Sequence, residues 1–253
     1  MPLDTGAGVW LRAALPARLG EHLRTIERTA PRLSEGGGTV GATDRGGVEG
    51  RWVISMGDFF ERIVDVEVTG KEAGPLAERM VGWMVTEGLI TREMTSDEVF
   101  SLQVDDGYKA GPNWQRAVAD SSDPSWIPGP VAVIVGRDYH VGGQGQDEAD
   151  SATCPRCDAR TVIIDYPEEF EADENAWQPF RDGITAWKET GEGIVVCSSC
   201  GASVPITKWQ FGAGFNLGAL AFDFWGWPPL DVSFCAEFSK QLGHRTQTQM
   251  GKF

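Results

Sequence analysis

Basic residues are scarce in this chain. Its 22 lysines and arginines stand against 37 aspartates and glutamates, giving a formal net charge of −15 and a pI near 4.6. Non-specific affinity for a phosphate backbone comes from lysine and arginine displacing counterions, so this balance argues against nucleic acid as a partner. Histidine is rarer still. His22, His140 and His244 are the only three, and none belongs to an H-E-x-x-H or nucleophile pattern. The phosphate-cradling G-x-x-x-x-G-K-[ST] does not occur. No run approaches 18 apolar residues, which argues against a membrane-spanning helix. The opening MPLDTGAGVWLRAALPARLG carries an acid at position 4 and no basic region ahead of an apolar core, unlike a secretory signal. The expectation is a cytoplasmic chain, of ordinary globular composition at 41% hydrophobic and 23% charged residues.

Several segments declare their structure. Leu15, Leu19, Leu23, Ile26 and Ala30 recur at helical spacing and predict a helix over about 16–29, followed by SEGGGTVGATDRGGVEG, whose seven glycines in 17 residues mark a flexible connection. RWVIS and RIVDVEV read as strands, the second half-buried. A helix after Gly74 and Pro75 places Leu76, Met80, Trp83 and Met84 on one face, and LITRE, EVFSLQV and GPVAVIVG read as further strands, with GPNWQRAVAD as a short helix. After a second linker, 142–152, and the cysteine region, GALAFDFW is a strand. PPLDVSFCAEFSKQLG is a helix with Leu230, Phe234, Phe238 and Leu242 on one stripe and Gly243 as its cap, and HRTQTQMGKF is a polar final strand. Two strand–helix–strand units predict an α+β fold, a mixed or antiparallel sheet with helices on one face. Residues 1–50 form an N-terminal helix and loop, 51–141 and 207–253 the two parts of the body, and 152–206 an embedded module.

That module holds Cys154, Cys157, Cys197 and Cys200, spaced C-x2-C-x39-C-x2-C. A two-residue gap lets one turn bring two sulfurs to a tetrahedral ion while its amides donate to the thiolates. Gly201 stands where such a turn needs permissive dihedrals, and Asp158 holds the equivalent place in the first turn. Redox chemistry and disulfides are the alternatives, and a four-thiolate site also accepts iron. With five cysteines, an odd number, metal chemistry in a reducing compartment fits better than a disulfide framework, and Cys235 reads as a small core residue. The two pairs resemble the knuckles of the zinc ribbon, a module of two β-hairpins found in transcription, translation and modification proteins. The resemblance implies a structural zinc ion held by the four cysteines.

The 39 residues between the pairs carry ten acids and three bases, net −7. Within them Trp177, Phe180, Ile184 and Trp187 form one face of a helix expected to start near Pro179, which reads either as core or as an aromatic contact for a basic partner. Trp225, Trp227, Pro228 and Pro229 make a rigid corner that either closes the core or presents a contact surface. It resembles corners of small bacterial proteins, some of the toxin-neutralising immunity type. The glycines of FGAGFNLGAL lack the strand-then-helix context of a dinucleotide loop and read as a bend or bulge. His140, beside Asp138 and Tyr139 at a strand end, reads as a surface residue rather than a catalyst. The expectation is a non-catalytic protein-binding protein, an adaptor or immunity-type neutraliser of a basic partner, with Trp177, Trp187, Trp225 and Trp227 as contact residues. The alternatives are an enzyme without a recognisable motif and a ribbon that touches nucleic acid.

Overall fold

The computed structural model describes residues 59–252, except 122, 124, 144–146 and 213. The helix expected at 16–29, the glycine-rich loop and the RWVIS strand lie outside the described residues. The chain runs β1 (Phe59–Asp65), α1 (Ala73–Thr86), β2 (Ile90–Thr95), β3 (Gly107–Ala110), β4 (Val131–His140), β5 (Ser151–Thr153), β6 (Arg160–Val162) and α2 (Glu174–Thr190). It continues through β7 (Ile194–Val196), β8 (Ser203–Pro205), β9 (Gln210–Phe211), β10 (Asn216–Trp225), α3 (Val232–Leu242) and β11 (Thr246–Lys252). The fold is α+β. A six-stranded sheet has the order β11-β1-β10-β4-β3-β2 and is antiparallel at every pair.

β1 and β10 are central and buried on both faces, because each face has its own cover. Ile63, Leu220, Phe222 and Phe224 pack with Met80 and Met84 of α1 and with Phe234 and Phe238 of α3. On the other face, Phe60 and Trp225 meet Val99 and Val104, while Val64 and Ala221 meet Val66 and Val104. This corrects the half-buried reading of RIVDVEV. Burying each large apolar side chain in such a core contributes about 1.5–3 kcal/mol.

EVFSLQV is not a strand. Ser101 Oγ accepts from the Gln103 and Val104 N–H groups, Glu98 sits at φ 62°, and the segment lies across the sheet with Val99 and Val104 inward and Leu102 exposed. GPNWQRAVAD contains one 3-10 turn, Trp114–Ala117. α3 begins where Asp231 accepts from the Ser233 and Phe234 N–H groups and ends at Gly243.

The register of β4 on β10 shifts between Gly218 and Leu220. Gly218 is pressed so closely on β1 that a Cβ there would lie 2.4 Å from Val64 Cγ1. Beyond this shift, Asn216 Nδ2 donates to Gln249 Oε1 at 2.7 Å. Arg62 Nη1 reaches the Val141 carbonyl at 3.2 Å, and Lys252 N–H donates to the Gly142 carbonyl at 2.9 Å. Arg62 also grips Asp223 through two bonds, Nε to Oδ1 at 2.5 Å and Nη2 to Oδ2 at 2.6 Å, both side chains buried.

Candidate metal centre

The second core is built around the cysteines. The β5–β6 hairpin carries Cys154 and Cys157 on its turn, the β7–β8 hairpin carries Cys197 and Cys200 on its own, and β9 completes a three-stranded sheet with β5 and β6. The two turns share one wiring. Cys154 N–H donates to Ala159 O at 3.0 Å and Asp158 N–H to Cys154 O at 3.0 Å; Cys197 N–H donates to Ala202 O at 2.9 Å and Gly201 N–H to Cys197 O at 2.8 Å. Asp158 at φ 57° and Gly201 at φ 70° occupy the left-handed region at matching positions, as the spacing anticipates.

The four sulfurs lie within 4.8 Å of one another, with those of Cys157 and Cys197 3.8 Å apart. Cys154 and Cys197 are buried, and Cys157 and Cys200 face solvent. The Arg156 N–H donates to Cys154 Sγ at 3.4 Å. The backbone amide of Cys200, with that of Ser199, pulls the Cys197 thiol down to about 6. At Cys157 the Ala159 amide acts in the same direction, but sharing of protons with the sulfurs of Cys200, Cys154 and Cys197 outweighs it and the thiol moves up. Four sulfurs this close ionise together only around a cation, and the turn amides are placed to support the charge. The donor set fits a metal ion.

The helix between the knuckles staples the module. α2 starts at Glu174, five residues before Pro179, because Asp173 caps it by accepting from the Asn175 and Ala176 N–H groups. Its aromatic stripe is buried. Trp177 stands edge-on to Phe215 at 5.7 Å, Phe180 to Trp209 at 4.9 Å, and Ile184 and Trp187 join the same core. Trp177 and Trp187 are therefore packing residues, and the contact role expected for them is corrected. The same holds at the corner. Trp225 packs on Phe60 at 5.0 Å, and Trp227 is enclosed by Trp114 and Phe224 and donates its indole N–H to the Gly129 carbonyl at 2.9 Å. Neither faces solvent. A tryptophan stripe or corner carries the same sequence signature whether it is covered by this chain or left for another.

His140, read as a surface residue, is fully buried. Neither ring nitrogen has a hydrogen-bond partner among the described residues; the Gly218 backbone lies beside the ring without hydrogen-bond geometry. Asp138 instead pairs with Lys188 at 2.6 Å, so the two do not form a joint open site. Of the basic groups near the module, Arg160 pairs with Asp150 at 3.8 Å.

The loop joining β6 to α2 carries a feature that the spacing did not single out. Ile163 and Ile164 are buried and both donate to the Asp150 carbonyl, and Asp173 N–H closes the neck by donating to Ile163 O at 2.8 Å. Between these anchors Asp165, Glu168, Glu169 and Glu171 are exposed, and so are Tyr166 and Phe170, 52% and 75% accessible and packed edge-on at 5.5 Å. The signal in the sequence was two aromatics among acids with no helical or strand period. No helix among the described residues is long and apolar enough to cross a membrane. No protein-family model matches the chain, and no curated protein or solved structure matches it.

Proposed function

We propose that the cysteine cluster is a structural zinc centre of the zinc-ribbon type and that the chain is a non-catalytic protein-binding protein. In this reading the ribbon holds the loop between Ile163 and Asp173 against a basic partner in the cytoplasm. The observation that carries it is the loop itself. An exposed aromatic pair among carboxylates that form no ion pair among the described residues, closed at its neck, is costly to leave in water and suited to a partner that offers apolar surface ringed by cations. Zinc is preferred over iron here as a redox-inert ion that closes four thiolates into a tetrahedron and contributes folding energy outright.

Binding then divides between two groups. The carboxylates steer encounter, and Tyr166 and Phe170 hold the complex. Asp173 and Glu174 are excluded from the test because the first caps α2 and the second pairs with Arg181 at 2.5 Å. A photo-crosslinking residue at position 170, introduced into the full chain in its own cell, should give one discrete adduct with a basic protein. With that protein purified, replacing Asp165, Glu168, Glu169 and Glu171 by their amides should slow association and flatten its salt dependence, whereas Phe170→Ser should speed dissociation. Absence of an adduct at 170, or unchanged kinetics in both variants, refutes the reading.

A further inference from the structure

A groove of about 530 Å³ lies on the body, between the loop 126–130 and the β2–β3 edge. Its walls are Trp114, Trp126, Ile127 and Pro128, and Asp97 and Glu98 stand at its lip. Three observations give this groove a chemical preference. First, the rim is preformed. Trp126 Nε1 donates to the Gly226 carbonyl at 2.8 Å, Trp227 Nε1 donates to the Gly129 carbonyl at 2.9 Å, and Gly129 is packed so tightly that a Cβ would lie 2.6 Å from Trp225 O. A wall fixed in this way loses little entropy when something binds.

Second, one tryptophan of the lining is accessible, whereas Trp114 is buried in the core. Trp126 is only half-buried and its neighbour Ile127 is 87% exposed, so the groove offers an accessible indole. Third, the charge at the lip is unbalanced. Lys109, the cation of the lining, is engaged by Glu93 at 3.1 Å, while the carboxylates of Asp97 and Glu98 have no hydrogen bond or ion pair among the described residues. An indole face attracts a cation through its ring quadrupole, and two free carboxylates beside it add attraction of the same sign.

We infer that this groove receives the cationic side chain of an extended peptide segment of a partner protein, an arginine or lysine seated on Trp126 with its charge towards Asp97 and Glu98. Arginine is the better fit, because a planar guanidinium stacks on an indole and still offers donors at its edge. The cavity is larger than one side chain and is bordered by β2, the outermost strand of the sheet, leaving room for the flanking peptide. This inference does not depend on the zinc centre or on the loop at Tyr166 and Phe170, which belong to the other core.

The test uses the full metal-loaded chain and follows the Trp126 indole N–H resonance during titration with three probes: the blocked pentapeptide Gly-Gly-Arg-Gly-Gly, its citrulline counterpart, and guanidinium ion. The arginine peptide should give a saturable shift that weakens as salt rises, and citrulline, which has the same shape without the charge, should bind about tenfold more weakly or not at all. Trp126→Leu should lose the interaction. Because Trp126 also contacts Phe59 and Gly226, the double variant Asp97→Asn, Glu98→Gln supplies the independent arm. Its residues are exposed, so the fold and the Trp126 resonance position should persist while peptide affinity falls several-fold. No saturable shift with the arginine peptide, or equal binding of citrulline, overturns the inference. Guanidinium binding as tightly as the peptide overturns the peptide assignment. None of these results bears on the crosslink at position 170.

Discussion

Acidification should destabilise this protein through one identifiable side chain. His140 is sealed from solvent, and burial, with the Arg62 guanidinium as the second cause, pushes its pKa from 6.5 down to about 3. Asp138 acts in the opposite direction and Lys188 in the same one, both more weakly than burial. The unfolded chain takes up a proton at this residue near pH 6.5 while the folded one does not. Stability is therefore complete above about pH 6.5 and falls at about 1.4 kcal/mol per pH unit below it, which amounts to about 2 kcal/mol by pH 5 and about 5 kcal/mol if the fold survives to pH 3. Two other groups titrate alongside. Burial raises the Glu61 carboxyl from 4.5 to about 7, so its contribution is complete below pH 4.5 and is lost as pH rises to 7, the reverse sense. Any metal ion held by the four cysteines would be released as they bind protons in acid. Both are unchanged in His140→Leu, so the difference between the two proteins isolates the histidine. Urea unfolding at half-unit steps from pH 7.5 to 5 should give His140→Leu a gain of about 2 kcal/mol over the parent at pH 5 relative to the same comparison at pH 7.5. Parallel stability curves would refute the reasoning and would mean that the ring finds a protonated, solvated position inside the fold.

Other perturbations act elsewhere. Cys197→Ser should abolish stoichiometric metal binding and expose the Trp177 core, seen as loss of bound metal by elemental analysis together with a red-shifted tryptophan emission. Trp177→Ala should cost about 3–5 kcal/mol in urea unfolding with no change in the salt dependence of partner association, as expected for a packing residue. Removing one partner of the buried pair, Asp223→Ala, should cost about 3–5 kcal/mol, whereas replacing Arg62 and Asp223 together by Met and Leu should recover most of it in the same assay. Gly218→Ala should be strongly destabilising, because the new methyl meets Val64 Cγ1 and Asp65 O.

Local chemistry was legible in the sequence wherever a few adjacent residues decide the outcome. The two knuckles follow from C-x2-C with a left-handed residue after each pair, and Asp158 and Gly201 occupy those positions. The stripe of α3, its Gly243 cap and the strand–helix–strand order of the body follow from the 3.6 and 2 periodicities. What periodicity cannot report is which partner covers an apolar face. β1 and β10 alternate in sequence like half-buried strands, yet helices cover one side and Val99 and Val104 of the 96–106 loop pack on the other. For the same reason Trp177, Trp187, Trp225 and Trp227 read as possible contacts in one dimension and are core residues in three, while accessible aromatics such as Tyr166 and Phe170 lie on loops with no period. His140 lies at a strand end that would meet water in a flat sheet. In the folded chain it is enclosed instead, with Arg62 and the Gly218 backbone among its neighbours. Spacing along the chain thus determined the four-cysteine cluster and most of the elements, though not the 98–104 segment. Burial depends on contacts between residues far apart in sequence, and only the tertiary structure decided it.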